Sequence, residues 1–394
     1  MRSLISYDGV NSPSKFMLES SIDRRLPENA WAFDRYGMVA SGAGSTSSAI
    51  YGAIGEFFER RHFNNEVISS NSGLLFDLLG AQDSNSFALA FDQTKVIGSN
   101  GCVGRQRFRA VKAYKLPTFE ETWIPTINVS LNGAGLGTDT MFFPRKDTTG
   151  CSAHFDFIKS VHNSVFELFE RQYLLAHWLT HGAFSRPLIK SSLRLTGSAK
   201  YLLDRLCVIG NVDLFEITPV DEFGSTILCV YQGAEGASVE YCVGLSLSND
   251  TSKAAEKSIH ELWQSYVFLN NTRQHSVATS SIEDEYHRYF IECNRCVVAA
   301  SMSEISCDQI SRHTDDNKSE GDLYKDLTTR YRNIFLYVGT SSIFGRTIFF
   351  TKVLSPEFFL HINNAKNCNL QNVFSSHWQH LVDPARAAVM VPFP

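Results

Sequence analysis

Residues 48–63, SAIYGAIGEFFERRHF, decide how the rest of this chain is interpreted. Their apolar side chains recur at the i, i+3, i+4, i+7 spacing of one helix face, at Ile50, Ala53, Ile54, Phe57 and Phe58. Glu56 and Glu59 lie off that face and three residues apart, which makes their carboxylates neighbours on the helix surface. Two carboxylates this close repel each other unless a cation, a proton or solvent intervenes. For a single helix, the simplest interpretation is a solvated polar face.

A second stretch repeats this arrangement about 110 residues later in the chain. This separation is too long for a solenoid repeat. Residues 161–173 read VHNSVFELFERQY, and Glu167 and Glu170 again lie three apart beside an apolar stripe. The stripe consists of Val161, Val165, Leu168 and Phe169. The pattern therefore predicts two acidic helices that face one site.

A third helix is predicted over residues 253–268, with Glu261 and Gln264 at the same spacing. Its apolar face consists of Ile259, Leu262, Trp263, Tyr266 and Val267. Three amphipathic helices that each carry an oxygen pair would be an unusual coincidence of solvated side chains. Converging oxygens are the ligands that hard cations such as Mg²⁺ bind, usually with substrate phosphates completing the shell.

Composition describes an ordinary globular chain of 394 residues, with 43% hydrophobic and 20% charged residues. A net charge of −5 gives no electrostatic footprint for nucleic acid or an acidic membrane surface. The sequence has neither an apolar signal segment at its start nor a run of about 18 apolar residues that would span a membrane. Nine cysteines, an odd number, favour reduced thiols over a disulfide framework. We therefore expect a cytoplasmic protein that binds neither nucleic acid nor membrane.

Residues 40–48, ASGAGSTSS, are predicted to form a small-residue loop that runs into the first acidic helix. Glycines permit close backbone approach, and N–H groups at a helix start favour anions, so Ser41, Gly42 and Gly44 are candidate cofactor-binding residues. The loop is not a Walker A motif, because the Gly-Lys-Ser/Thr sequence is absent. Upstream, residues 1–38 read as irregular, and surface exposure explains Arg24, Arg25 and Arg35 more simply than phosphate binding does.

The remaining patterns predict strands mixed with helices. Residues 103–131 alternate as two strands around a turn at 117–121, and residues 226–248 read as a hairpin. Residues 147–154, DTTGCSAH, form a second small polar loop before the second acidic helix, and residues 334–354 regain strand character. With no convincing linker, we expect an α+β fold in one domain, residues 1–394, that carries a polar insertion near 271–326.

Several other chemistries lack their usual signatures. Cys293 and Cys296 form a lone CxxC, and a zinc site would also need residues such as Cys307 and His313 at suitable spacing. The GxSxG, HExxH and GxGxxG motifs are missing from the contexts in which they act. The histidines are best read as ordinary polar residues, namely His62, His154, His260 and His380.

The three acidic helices resemble, in this order, those of the YcaO family of ATP-dependent peptide-modifying enzymes. That family carries Ser-x-x-x-Glu-x-x-Glu, Glu-x-x-Glu-Arg and Glu-x-x-Gln on its three helices. The stretches GAIGEFFERRHFNNE, ELWQSY, SPEFFLHINN and the terminal MVPFP are further similar to the cyclodehydratase subunits of microcin-type thiazole/oxazole synthetases. The matching stretches run from about residue 25 to 394. One departure is Gly52, which stands where the family pattern has Ser, and the Pro-rich tail is reduced to three residues.

The resemblance implies a YcaO-type α+β fold, with mixed sheets and amphipathic helices around a central ATP/Mg²⁺ cavity. It implies that a Cys thiol or a Ser/Thr hydroxyl of a ribosomal precursor peptide attacks the preceding amide. ATP then phosphorylates the amide oxygen, and loss of phosphate leaves a thiazoline or oxazoline. Arg171 would contact phosphates and Gln264 would assist as a neutral ligand, while the magnesium ligands would be Glu56, Glu59, Glu167, Glu170 and Glu261.

The resemblance also implies a catalytic C-terminus and two partner subunits. The terminal carboxylate of Pro394 would act as a base on the attacking group or the amide proton, with His154 and His380 as the alternatives if the tail is not catalytic. A leader-binding subunit related to ubiquitin-activating enzymes would deliver the precursor peptide, and an FMN-dependent dehydrogenase would oxidise azolines, so the flavin belongs to the partner. Two other functions stay open, a thioamide-forming YcaO enzyme and an inactive nucleotide-binding scaffold.

Overall fold

A computed structural model describes residues 3–6, 13–21, 23–34, 38–98, 101–274, 279–282, 285–305, 327–343 and 345–394. Arg35, Cys307, His313 and the middle of the predicted polar insertion lie outside these residues. The chain forms two compact units. Unit 1 comprises residues 1–57, 176–318 and 392–394, and unit 2 comprises residues 58–175 and 319–391. Helices and antiparallel sheets occur in both, which confirms the α+β class.

Unit 1 contains two four-stranded antiparallel sheets. The first has the order β1-β2-β3-β4, with bounds Ser3–Ser6, Lys15–Glu19, Glu28–Phe33 and Val39–Gly44. The second has the order β12-β11-β10-β9, in which β9 is Arg186–Pro187, β10 Asn211–Glu216, β11 Ser225–Gln232 and β12 Tyr241–Ser248. The predicted hairpin at 226–248 is therefore confirmed.

The prediction that residues 1–38 are irregular is wrong, because β1, β2 and β3 lie there. Strand β3 pairs with β2 on one side and β4 on the other, and Ala30 and Ala32 are fully buried. The segment ENAWAF shows no alternation of polar and apolar residues. Its strand character follows from pairing on both edges, which a local pattern does not reveal.

Helix α1 spans Thr46–Asn65 and follows β4 after one residue. The prediction of a loop over residues 40–48 is thus wrong, since Ser41, Gly42 and Gly44 all belong to the strand. Strand and helix pack closely at Gly42, where a Cβ atom would lie 2.3 Å from the Ala49 carbonyl oxygen. The small residues of this stretch are explained by that close approach.

We expect Gly42→Ala to lower the free energy of unfolding by roughly 1–3 kcal/mol, because the added methyl would push β4 off the α1 backbone. Gly55→Ala is the matched control, since a Cβ at Gly55 on the same helix meets no atom within 4 Å. That change should be neutral or stabilising, as Ala is the better helix former. Equal denaturant midpoints for both variants would contradict the packing argument.

Helix α5, Thr251–Gln274, packs against β11 and β12 and also contacts β4. Gly244 on β12 permits the approach, because a Cβ there would lie 2.0 Å from the Ser258 carbonyl oxygen. Ile259 and Leu262 are fully buried, as the apolar face predicted. The third acidic helix therefore lies against both sheets of unit 1.

Unit 2 contains a six-stranded antiparallel sheet in the order β5-β6-β13-β14-β8, with β7 paired to β6. Its strands are Asn71–Leu74 (β5), Arg107–Leu116 (β6), Glu120–Pro125 (β7), Cys151–His154 (β8), Ile334–Ile343 (β13) and Arg346–Leu354 (β14). The strand predictions over 103–131 and 334–354 are confirmed. Helix α2, Leu75–Thr94, follows β5 and is interrupted at Gly80, whose φ is 76°.

Helix α3, Phe157–Leu179, begins in unit 2 and carries the second predicted acidic pair. Its apolar stripe is buried as predicted, with Val165 and Phe169 fully enclosed. Ser160 and Ser164 both hydrogen-bond the Thr351 hydroxyl on β14, at 2.8 and 2.6 Å. These bonds fix the position of α3 along the sheet. The second predicted loop, 147–154, ends in strand β8 rather than reaching the helix directly.

The described part of the predicted insertion contains further helices. Besides the end of α5, it holds Glu285–Glu292 and Cys296–Met302, and Phe290 on the first of these helices is fully buried. Helix α4, Gly197–Ile209, also lies in unit 1. Among the described residues, no helix combines the length and apolar character needed to cross a membrane.

Candidate active site

Ser41 connects two of the three predicted acidic helices within unit 1. Its backbone N–H donates to Glu56 Oε2 on α1 at 2.7 Å. Its hydroxyl accepts a short hydrogen bond from the Gln264 side-chain amide on α5. Glu56 and Gln264 are 208 residues apart in the sequence. A single residue of β4, Ser41, hydrogen-bonds both of them.

Glu261 lies one turn before Gln264 on α5 and is exposed. The Leu245 N–H on β12 donates to Glu261 Oε2 at 3.3 Å. The carboxylate is thus oriented by a backbone group of the strand that α5 covers. Because Glu56 and Gln264 are each held by Ser41, all three side chains of unit 1 have positions set by hydrogen bonds to β-strands.

Unit 2 holds the second set of predicted ligands. On α3, Arg171 Nε donates to Glu167 Oε1 at 2.9 Å, and both side chains are mostly buried, with 16% and 23% of their surface exposed. The planar guanidinium therefore fixes the orientation of that carboxylate. Glu170 is half-buried on the same helix.

The Cys151 thiol in unit 2 feels the charges of carboxylates on both α1 and α3. Burial raises the pKa of Cys151, while the Lys352 ammonium opposes the shift. The charges of Glu59 and Glu167 both raise the pKa further. Two glutamates from different helices thus lie within electrostatic reach of one sulfur atom.

These side chains fit magnesium only if a substrate supplies part of its coordination shell. Within the described ranges, no three His, Cys, Asp or Glu side chains lie close enough together to hold a metal ion by themselves. Mg²⁺ is usually bound through one or two carboxylates, several waters and substrate phosphates. The paired oxygens suit that mode. The convergence of all five glutamates on one cavity stays a prediction.

Ser41 lies in strand β4 rather than in a loop before α1, so its backbone N–H is not at a helix start. Its N–H group is donated to Glu56 rather than held at a helix start for an anion. Gly52, which replaces the family's Ser, faces β4 closely, since a Cβ there would lie 3.3 Å from Gly42 Cα. The assignment of Ser41, Gly42 and Gly44 to cofactor binding stays a prediction.

The C-terminal tail is held at several points. Within unit 2, the Val391 N–H donates to Asn364 Oδ1 at 2.9 Å. Within unit 1, the buried Tyr241 hydroxyl donates to the Pro392 carbonyl oxygen at 2.5 Å. Phe393 is buried and Pro394 half-buried. These contacts order the tail up to its last residue. The alternative of a disordered C-terminus is therefore not supported.

The histidines have ordinary structural surroundings. His154 Nδ1 accepts the Asp156 N–H at 2.8 Å just before α3, and His380 is exposed. His62 is buried and hydrogen-bonded to Glu66 and Tyr337. Burial lowers the pKa of His260. The alternative bases His154 and His380 thus gain no support from a built site.

Cys293 and Cys296 lack the features of a reactive pair. The Cys296 thiol donates to the Gly233 carbonyl oxygen at 3.4 Å and to Glu240 at 3.5 Å. Burial raises the pKa of both thiols, that of Cys293 to about 11. A raised pKa disfavours the thiolate that attacks substrates or binds metals. Arg25, another early candidate, is paired with Asp23 at 2.9 Å.

Two residues that matter here were missed at the sequence level. Tyr241 begins an almost wholly apolar strand, and its hydroxyl is what reaches the tail. Lys352 lies in RTIFFTKVL, where a lysine inside an apolar strand could have signalled a buried charge. The remaining residues of β12 and β14 are mostly buried, as in an ordinary core strand.

Comparison with known proteins identifies the same family as the acidic helices do. The profile of the family described as YcaO cyclodehydratase, ATP- and Mg²⁺-binding, matches residues 41–336. The microcin B17-processing protein McbD of Escherichia coli is 30% identical over 391 residues, covering 97% of each chain.

Solved structures extend the likeness to the fold. A chain of the E. coli microcin synthetase McbBCD complex with pro-MccB17 bound has a TM-score of 0.89 and 29% identity, covering 99% of this chain and all of that one. YcaO from Methanopyrus kandleri, bound with AMPPCP and Mg²⁺, has a TM-score of 0.55 and 16% identity, with coverage of 90% and 86%. The latter similarity concerns the fold alone.

Proposed function

Because the chain belongs to the YcaO cyclodehydratases, an ATP- and Mg²⁺-binding family, we propose how its own residues perform that activity. The enzyme is an ATP-dependent peptide heterocyclase. Its substrate is a ribosomal precursor peptide, in which it converts Cys and Ser/Thr residues to thiazolines and oxazolines. The observation that carries the assignment of residues is the joint attachment of Glu56 and Gln264 to Ser41.

The reaction has a balanced course. The thiol or hydroxyl attacks the preceding amide carbon and releases its proton to solvent, and the former carbonyl oxygen takes the γ-phosphoryl group of ATP, which leaves ADP. Phosphate then departs as the C=N bond forms, and the amide proton passes to a base. An amide oxygen is a poor leaving group, so phosphorylation makes its departure feasible. The task of the enzyme is then positioning and charge neutralisation.

We assign the ligands by their position in the two units. Glu56 and Glu261, with Gln264, would serve from unit 1, while Glu59, Glu167 and Glu170 would serve from unit 2. Mg²⁺, when bound, would neutralise charge on the phosphates. The guanidinium of Arg171 holds Glu167 at 2.9 Å and presents a permanent cation for phosphate oxygens. On this proposal residues 1–394 form one catalytic domain with a polar insertion near 271–326.

The function is tested by supplying the purified complex with precursor peptide and ATP. We expect peptide-dependent ADP release and a product lighter by one water, about 18 Da, per ring, as covalent cyclodehydration requires. A gain of about 16 Da would instead indicate exchange of oxygen for sulfur, the thioamide chemistry. ATP turnover that ignores the peptide would support the scaffold function.

We further propose that the carboxylate of Pro394 is the base that takes the proton. An ordinary α-carboxylate has a pKa near 3.5, so it needs desolvation or acidic neighbours to become a useful base. The half-buried position of Pro394 and the anchoring of Pro392 by Tyr241 at 2.5 Å support this role. Prolines at both positions limit the conformations available to the tail.

We expect Tyr241→Phe to slow ring formation by about tenfold, since loss of the anchor leaves the buried Pro392 carbonyl unsatisfied at a cost of roughly 1–3 kcal/mol. The effect should fall on kcat, with the KM for ATP little changed. Tyr231→Phe is the matched control, because Tyr231 on the adjacent strand donates to the Ile209 carbonyl oxygen at 3.2 Å, away from the tail. Equal losses in both variants would indicate a general stability effect.

The partners are proposed from the similar E. coli protein, which was solved within the McbBCD complex with pro-MccB17 bound. We propose that this chain likewise assembles with two further subunits. One resembles ubiquitin-activating enzymes and binds the leader, and the other is an FMN-dependent dehydrogenase that oxidises the azolines. A cytoplasmic location would suit both ATP supply and reduced cysteines.

A further inference from the structure

Two lysines of unit 2 come together where the mechanism so far uses neither of them. Lys352 on β14 is the direct pairing partner of Cys151 on β8. Its side chain is only 6% exposed, and Nζ donates to the Asp147 carbonyl oxygen at 3.3 Å. Lys146 precedes Asp147 and is half-buried. Burial and the charge of Lys352 lower the pKa of Lys146 to about 8.

Such a pair is unfavourable without a counter-ion. Among the residues that the structure describes, neither ammonium is in an ion pair. The intervening Asp147 carboxylate accepts the backbone N–H groups of Thr149 at 2.9 Å and of Ile362 at 2.6 Å. A buried charge that lacks an ion-pair partner is costly, and such groups cluster at functional sites.

The position of the pair indicates which anion would complete it. Cys151, beside Lys352, is the thiol on which the charges of Glu59 and Glu167 act. Among the described residues the two ammonium groups have no ion-pair partner and therefore favour an anionic one. A phosphoryl group that arrives with the metal supplies it.

We propose that Lys146 and Lys352 form a site for the oxygen atoms of the phosphoryl group that is transferred to the peptide. The proposal rests on the function assigned above and adds two residues to it. Lysine presents a compact ammonium with three donors, which suits the dispersed charge of a phosphoryl group in flight. The same oxygens occur on the γ-phosphate of ATP and on released inorganic phosphate, and binding measurements distinguish these sources.

The test compares Lys352→Met and Lys146→Met with Lys112→Met in the full-length chain. Methionine keeps the length of the side chain and removes its charge. Lys112 is the control because it lies in the same sheet, half-exposed, in an ion pair with Glu121 at 2.5 Å. Calorimetric titration with a non-hydrolysable ATP analogue, with ADP and with inorganic phosphate, each with Mg²⁺, gives the readout.

We expect each active-site variant to bind the ATP analogue about 10- to 100-fold more weakly, as loss of a charged hydrogen bond predicts. ADP should bind nearly as to the unchanged chain, because it lacks the γ-phosphate. Lys146→Arg should restore most of the affinity, since the charge returns. Weaker binding of inorganic phosphate alone would place the pair on the released product rather than on ATP, and would still support a phosphoryl site.

Two outcomes would overturn the proposal. Unchanged affinity for both the analogue and phosphate would show that the lysines serve only the fold, and equal losses for ADP and the analogue would remove them from the transferred group. Should Lys352→Met not fold, the less buried Lys146→Met carries the test. If these variants bind normally while a Glu167 variant loses turnover, the lysine proposal alone fails. If the Glu167 variant turns over normally, the assignment of magnesium ligands on which the lysine site rests fails first.

Discussion

Replacing Glu167 by Gln is expected to reduce peptide-dependent ATP hydrolysis by about 100-fold or more, the size of effect seen when one preorganised group that stabilises a transition state is removed. The substitution keeps the shape of the side chain and an oxygen that can accept from Arg171 Nε, now 2.9 Å away. It removes the charge by which this position would hold magnesium. ADP release in the complete complex, with and without precursor peptide, measures the effect.

The fold should survive this change. The charges of Glu59 and Glu167 act on the same Cys151 thiol, so the loss of one relieves repulsion in the empty enzyme. Loss of the partly buried ion pair with Arg171 offsets this gain, and thermal unfolding should change little. Glu121→Gln, at the exposed pair with Lys112, is the matched control and should leave turnover unchanged. Normal turnover of the Glu167 variant would argue against a metal ligand at this position.

Adding one or two residues after Pro394 is expected to nearly abolish ring formation while ATP binding persists. Each extended residue moves the terminal carboxylate by about 3.3 Å, which removes it from the proton that it must take. Tyr241 and the buried Phe393 hold the preceding residues, so the tail cannot slide back to compensate. The acidic helices are untouched, and nucleotide affinity should therefore be kept.

Product mass and nucleotide titration on the same preparation check both halves of this prediction. The matched control carries the same added residues at the N-terminus and should form rings at the normal rate. A chain extended at the C-terminus that modifies its peptide normally would mean that the tail is not catalytic. The base would then be sought among His154 and the other groups considered above.

The Glu167 variant and the extended chain test different parts of the mechanism, so their effects should be separate. The Glu167 variant impairs phosphoryl transfer, whereas the extended chain impairs proton removal from the peptide. We expect the extended chain to retain affinity for ATP and the Glu167 variant to lose turnover even with an unmodified C-terminus. The reverse pattern would exchange the assigned roles.

The sequence by itself determined the helices and most of the strands that carry the site. The apolar spacing in α1, α3 and α5, the alternation in β6 and β7 and the glycine turn between β11 and β12 arise from residues close together in the chain. Such periods depend only on local backbone geometry, and the structure extends α3 and α5 six residues beyond their predicted ends, at Leu179 and Gln274. The spacing within each acidic pair is also local, which is why the family could be recognised from short stretches.

Only the tertiary structure decided which of these side chains meet. Ser41 and Gln264, 223 residues apart, come together because α5 crosses β4, and no local pattern encodes that crossing. The same holds for β3, whose strand character depends on partners on both edges, and for small residues 40–44, which lie in a strand rather than a loop. Lys352 became a candidate only when folding removed its ammonium from water, because the cost of a charge depends on its surroundings and not on its place in the sequence.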